Sequence, residues 1–226
     1  MSNLTLLIPA NKEAESLPIF LRELDKYDYK KMVVLQKEDK ETIESIKNFK
    51  DIELHIQKNK GYGSALKEGL ENIKTEFFCI INADGSMNPK YLEQMLQDCE
   101  DYDLVFASRY LKGGGSDDDD WITYLGNKIF SFLGNLFFNL KLSDILYTYI
   151  LGKTKKIREL SLNCHDFRIC VEIPINAKLK KLRYISNPSL ERKRIAGVKK
   201  VNALKDGFLI LIEMIYLFIR KFLVKR

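Results

Sequence analysis

The chain is poor in the residues that build metal clusters and disulfide frameworks. Its 226 residues include four cysteines (Cys79, Cys99, Cys164 and Cys170) and two histidines, and no two cysteines form a C-x-x-C pair. This argues against a structural zinc site or a disulfide-stapled fold and for a reducing compartment. The first residues enter a strand-like run with no basic or cleavable apolar leader, so the expected location is cytoplasmic. Apolar runs of the ~20 residues that span a bilayer are also missing; Phe208 to Ile219 is too short and holds Glu213. Gly61 and Gly63 do not complete G-x-G-x-x-G, which removes the dinucleotide fingerprint. No familiar nucleic-acid module is present, and no nucleic-acid partner is expected.

What is present describes a folded protein. Apolar residues make up 46% and charged residues 30%, enough for one α/β domain with a modest appendage. The net charge of +6 is unevenly placed: Arg192, Lys193, Arg194, Lys199 and Lys200 cluster, and Arg220, Lys221, Lys225 and Arg226 close the chain. Such patches suit phosphate-bearing ligands or anionic lipid heads.

Short apolar runs at Leu4–Ile8, Met32–Leu35, Ile52–Ile56, Phe77–Ile81 and Leu104–Ala107 predict strands, with helical spacing between them. Short connections make this the pattern of a mostly parallel sheet flanked by helices. The fourth run ends in Asn82–Ala83–Asp84–Gly85–Ser86. A carboxylate at the carboxyl end of a buried parallel strand stands where open α/β sheets bind ligands, and it can hold a hard cation that in turn holds a diphosphate. The plainer alternative is an Asp-Gly turn. His55 is read as a strand residue without chemistry.

The alternation stops at Gly113–Gly114–Gly115, followed by Asp117 to Asp120. The aspartates read as a solvated run capping the next helix, with a general base or second cation site as the sharper alternative. Trp121–Leu140 is helical, with a polar stripe of Asn127, Lys128, Ser131, Asn135 and Asn139 and apolar residues around most of the remainder. So broad an apolar face suits burial between domains or a membrane interface. In the last helix Asp206, Glu213 and Arg220 share one narrow stripe, which leaves two readings open, docking on the core or lying in an interface.

Taken in order, several segments resemble family 2 glycosyltransferases. Ile8–Pro9–Ala10–Asn11–Lys12–Glu13 is similar to their "IPAYNE" opening, and Gly61–Tyr62–Gly63–Ser64–Ala65–Leu66 to "GYGAAL". Asn82–Ala83–Asp84–Gly85 resembles the "DADG" metal motif, and Ala107–Ser108–Arg109–Tyr110 resembles "GSRY". Asp144 with Tyr147–Thr148 stands where relatives carry "D-x-x-SG", and Arg194 to Asn202 is similar to "R-x-G-G-x-S-K-x-N". The subgroup most resembled is the dolichol-phosphate mannosyltransferases and polyprenyl-phosphate glycosyltransferases.

The resemblance implies a GT-A fold with C-terminal amphipathic helices. Residues 1–110 would form the nucleotide-sugar half, 111–204 the acceptor half and 205–226 a membrane-associated helix. It further implies Pro9, Ala10, Glu13, Gln36, Gly61, Asn82 and Ala83 on the nucleotide side, and Asp84 with Asn82 on Mg2+ or Mn2+. Arg194 and Lys200 would close over the donor diphosphate. Arg109, Lys128 and Asp144 would stand on the acceptor side, with Arg109 facing a lipid phosphate. The chain departs from the pattern at Asn82, which replaces an aspartate, at Lys199, which replaces a serine, and at Gln36–Lys37–Glu38, where relatives carry "VDDGS".

The implied activity is inverting, metal-dependent transfer of a sugar from a UDP- or GDP-linked donor to a polyprenyl phosphate. The enzyme would sit peripherally on the cytoplasmic face of the membrane. The alternatives are transfer to a sugar hydroxyl in a surface glycan, and a non-catalytic nucleotide-binding relative.

Overall fold

The structure, a computed structural model, describes residues 3–223. The basic pair Lys225 and Arg226 lies outside the described residues. Five strands form in the predicted places: β1 Leu4–Pro9, β2 Lys30–Leu35, β3 Ile52–Ile56, β4 Phe77–Ile80 and β5 Leu104–Ser108. Helices α1 Leu17–Leu24, α2 Lys40–Ile46, α3 Tyr62–Asn72 and α4 Leu92–Asp98 intervene, α4 following a single 3-10 turn at Pro89–Tyr91. Beyond them come β6 Gly115–Ser116, α5 Trp121–Phe138, β7 Ile150–Lys153, α6 Thr154–Arg158, α7 Ile169–Leu179, β8 Tyr184–Pro188, β9 Leu190–Glu191 and α8 Ala203–Leu223.

Seven strands make one sheet in the order β3-β2-β1-β4-β7-β5-β8, in which only β7 runs against its neighbours. The inner strands β1 and β5 are buried along their whole length, on both faces, which is why they read as continuous apolar runs, whereas the edge strands β3 and β8 are partly exposed. Leu6, Ile8, Cys79 and Val105 pack with α1 and α4 on one side, and Leu7, Phe78, Ile80 and Phe106 pack with α3, α7 and α8 on the other. β7 inserts between β4 and β5 and β8 extends the edge, so residues 111–204 complete the sheet begun by residues 1–110.

Two consequences bear on the site. The chain moves outward through β1, β2 and β3 and then returns to β4, so the order reverses between β1 and β4, where a crevice opens at the carboxyl ends. The second concerns α5 and α8, which pack together through Phe137, Phe138 and Phe218. Both helices turn their polar stripes inward. Asn127 and Ser131 of α5 and Glu213 of α8 are buried, while Trp121, Ile122, Phe132, Leu136, Phe208 and Phe222 are more than half exposed. The buried polar groups are matched: Ser131 accepts the Ile145 amide, Asn135 pairs with both backbone groups of Leu142, and Arg220 donates to Asn176. No described helix is long and apolar enough to cross a membrane.

Candidate active site

The crevice between β1 and β4 is a cavity of about 560 Å³. Pro9, Ala10 and Glu13 reach it from the end of β1, Gln36 from β2, Gln57 from β3, and Asn82, Ala83 and Asp84 from β4. Gly61 and Tyr62 line it at the start of α3, and Arg194, Lys199 and Lys200 enter from the segment before α8. All the nucleotide-side and metal-side residues expected from the sequence therefore share one wall.

The loop after β4 is fixed from several directions. Asp84 Oδ1 accepts the Ser86 amide at 3.0 Å, closing the turn, and its carbonyl accepts the Ile195 amide. Gly85 sits at φ +72°, with the Ile195 side chain where a Cβ would stand, so glycine is required there. Arg192 donates to the Gly85 carbonyl and forms a two-bond pair with Glu23, binding residues 192–195 over the loop. Asp84 Oδ2 is left facing Arg194 at 3.4 Å. Two residues earlier, the Asn82 amide oxygen accepts from the Tyr62 hydroxyl at 3.3 Å, and that hydroxyl also meets Thr148 at 2.6 Å. Burial pushes the Tyr62 phenol far above its usual range, so it stays neutral.

The basic residues across the cavity are held by carboxylates. Arg194 bonds Asp118 at 2.8 Å as well as facing Asp84, and these neighbours raise its pKa against the effect of burial. Lys200 meets Glu13 at 3.2 Å, while Lys199 lies near Asp118 and Asp120. Asp120 caps α5 through the Thr123 amide, which with Lys199 holds its carboxyl below the ordinary value. The capping reading of the aspartate run thus holds for Asp120, whereas Asp118 and Asp119 line the cavity.

Arg109 lines the cavity, and its guanidinium is already engaged by carboxylates. It makes a two-bond pair with Asp144 at 2.7 and 2.9 Å, and its remaining terminal nitrogen donates to Glu191 and Asp119 at 3.1 and 3.2 Å. Tyr147 covers the cation face with its ring centre 4.6 Å away. Asp144 is 1% exposed and lies beneath Arg109 rather than on the cavity wall. Lys128 also stays off that wall, its ammonium 4.5 Å above the Tyr110 ring. Tyr110 in turn donates to Asp119 and accepts from Asn127.

Glu191 is the residue the sequence reading missed. It lines the cavity, bonds Arg109 and Ser116, and has its carboxyl pushed upward by burial more than Arg109 pulls it down. Its signal was the need for countercharge near a buried arginine, which no local pattern around Leu190–Glu191 announces.

At its far end the cavity turns apolar. Ile122, Gly126 and Phe130 of α5 face Leu204, Gly207 and Ile210 of α8 across it, with Leu146, Phe167 and Cys170 behind. The polar crevice and the gap between the two outward-greasy helices are one continuous space.

Solved structures share this architecture. Glucosyl-3-phosphoglycerate synthase from Mycobacterium tuberculosis, in complex with Mn2+, UDP and glucosyl-3-phosphoglycerate, superposes with a TM-score of 0.74 at 10% identity, covering 95% of this chain and 79% of that one. The same enzyme with Mn2+, UDP-glucose and phosphoglyceric acid gives 0.69 at 12% identity, covering 95% and 79%. With Mg2+ and UDP it gives 0.68 at 12%, covering 95% and 78%. At these identities the likeness establishes the GT-A fold. Residues 5–161 match the description of Glycosyl transferase family 2. With fold and sequence in agreement, the chain belongs to glycosyl transferase family 2 and is a glycosyltransferase.

Proposed function

We propose that the protein transfers a sugar from a UDP- or GDP-linked donor to a polyprenyl phosphate, with inversion, while lying peripherally on the cytoplasmic face of a membrane. The observation that carries this reading is the continuity of the cavity. A donor diphosphate suits the end lined by Asp84, Arg194 and Lys200, and an isoprenoid chain suits the apolar end between α5 and α8. The outward apolar faces of those helices support membrane contact, because an exposed patch of that extent marks a lipid or protein surface.

A divalent cation fits the donors present. Asp84 Oδ2 and the Asn82 amide are hard oxygen ligands, and Asp84 Oδ2 is committed to no backbone group. When bound, Mg2+ or Mn2+ neutralises charge on the diphosphate.

The residues of the chain account for the rest. An acceptor phosphate oxygen attacks the anomeric carbon, and the bond from that carbon to the diphosphate oxygen breaks, leaving its electron pair on the nucleoside diphosphate. Charge grows on the leaving group, where Arg194 and Lys200 exchange Asp84 and Glu13 for diphosphate oxygens. The attacking oxygen is already anionic, so no side chain need remove a proton. Gln36 offers an amide to the nucleotide base in place of the acid that relatives carry there, while the Gln57 amide nitrogen is held by the Asn59 and Gly61 carbonyls. Arg109 acts as a positioning residue, holding Asp119 and Glu191 along the wall.

The test is a panel of acceptors with each donor. Polyprenyl phosphate should take the sugar, whereas phosphoglycerate and soluble saccharides should not. Asp84→Ala should abolish metal-dependent nucleotide binding and lower transfer on the order of 100-fold or more. Transfer to saccharide alone would establish a hydroxyl acceptor. Tight nucleotide binding without turnover on any acceptor would establish a non-catalytic relative.

A further inference from the structure

A second concavity, an open groove of about 940 Å³, lies away from the active site. Lys141, Lys178, Lys181 and Arg183 line it against a single carboxylate, Asp101. None of these four cationic groups makes an ion pair or side-chain hydrogen bond among the described residues. The arginines around the active site, by contrast, are held by carboxylates, as Arg109, Arg192 and Arg194 show.

Two of these lysines stand at unusual backbone positions. Lys141 and Lys181 occupy left-handed conformations at φ 59° and 58°, positions that glycine holds without strain. Each directs a cation to the same groove. The floor is apolar, with Leu140, Leu142 and Leu182, and Tyr184 closes it by donating to the Leu140 carbonyl.

Location supplies the ligand class. The carboxyl ends of α5, α7 and α8 converge here: Lys221 of α8 donates to the Phe137 carbonyl at the end of α5, and Arg220 donates to Asn176 near the end of α7. The groove takes Lys178 from α7 and Leu140 and Lys141 from just past α5, so it lies near the end of the α5 and α8 pair whose outer face is apolar. We infer that it binds the phosphate headgroups of anionic phospholipids and sets the enzyme's orientation on the bilayer; this rests on the membrane reading above. An apolar face alone fixes depth but leaves the molecule free to roll, whereas a cationic groove at one end of that face defines which end meets the headgroups.

Vesicle sedimentation tests the inference, using phosphatidylcholine vesicles with and without phosphatidylglycerol. Wild-type protein should bind both and prefer the anionic ones, with the preference fading at high salt. The triple variant Lys141→Gln, Lys178→Gln, Lys181→Gln changes only partly or fully exposed side chains and should keep the wild-type circular dichroism spectrum. It should lose on the order of 100-fold in partitioning to anionic vesicles, about fivefold per lysine, with neutral-vesicle binding unchanged. A triple variant that keeps the full preference, or wild-type protein that shows none, overturns the groove assignment alone. Wild-type protein that binds neither vesicle overturns the membrane reading and the groove with it.

Discussion

Removing Arg109 should destabilise the whole fold. Its guanidinium is 6% exposed and serves Asp144, Asp119 and Glu191, whose side chains are 0%, 8% and 10% exposed. Arg109→Ala leaves three nearly buried carboxylates without their cation. Breaking one buried pair costs about 3–5 kcal/mol, a large part of a typical domain's total stability. At this chain length that is a fall of roughly 6–20 °C in Tm. Arg109→Lys should rescue little, because a point charge cannot bond Asp144 through two parallel N–H groups while also reaching Glu191. Asp144→Asn should show a loss of similar kind, since it removes the principal partner. Far-UV circular dichroism is the suitable probe; the single tryptophan, Trp121, is 73% exposed and reports poorly on the core. An Arg109→Ala protein within about 1 kcal/mol of wild type, yet inactive, would show that the side chain meets substrate and refute this reasoning.

Two further outcomes follow from the same structure. Gly61 has φ +109°, and a Cβ there would lie 2.2 Å from the His165 carbonyl oxygen, so Gly61→Ala should cost at least about 2 kcal/mol and loosen the start of α3, read by urea denaturation. Glu191 has its carboxyl raised above the ordinary 4.5, chiefly by burial. Its proton is therefore held more tightly in the folded state, and that stabilisation is present below pH 4.5 and lost as pH rises through the folded value. Glu191→Gln should match wild type in acid and become the more stable protein above that window, as a pH series of Tm values would record.

How much of this was legible in the sequence depends on whether the signal was local. The runs at Leu4, Met32 and Phe77 were visible because a strand buried on both faces is apolar without interruption. β7 was not, since four residues pairing antiparallel between β4 and β5 carry no pattern of their own. Helix α7 was hidden for the opposite reason. It is buried on nearly all sides and contains Pro174, so it has neither a polar face nor clean periodicity. The stripes on α5 and α8 were read correctly as stripes, but only the fold could reveal that they point inward. Likewise the motif around Arg109 located the residue at the cavity, while its bonding depends on Asp144 and Glu191, 35 and 82 residues away.

The most direct test of the single-cavity account uses Gly126. A Cβ there would meet no other atom within 4 Å, and Gly126 lines the apolar end of the cavity, so a larger residue has open space to grow into and should fill that end with the fold intact. Sugar transfer to polyprenyl phosphate would be measured for Gly126→Phe beside nucleotide binding by calorimetry. The account predicts unchanged metal-dependent nucleotide binding with transfer lowered at least tenfold, about the 1.4 kcal/mol of lost acceptor binding that this ratio represents. Full transfer by the Phe variant would contradict it, because the lipid would then have to reach the sugar by another route.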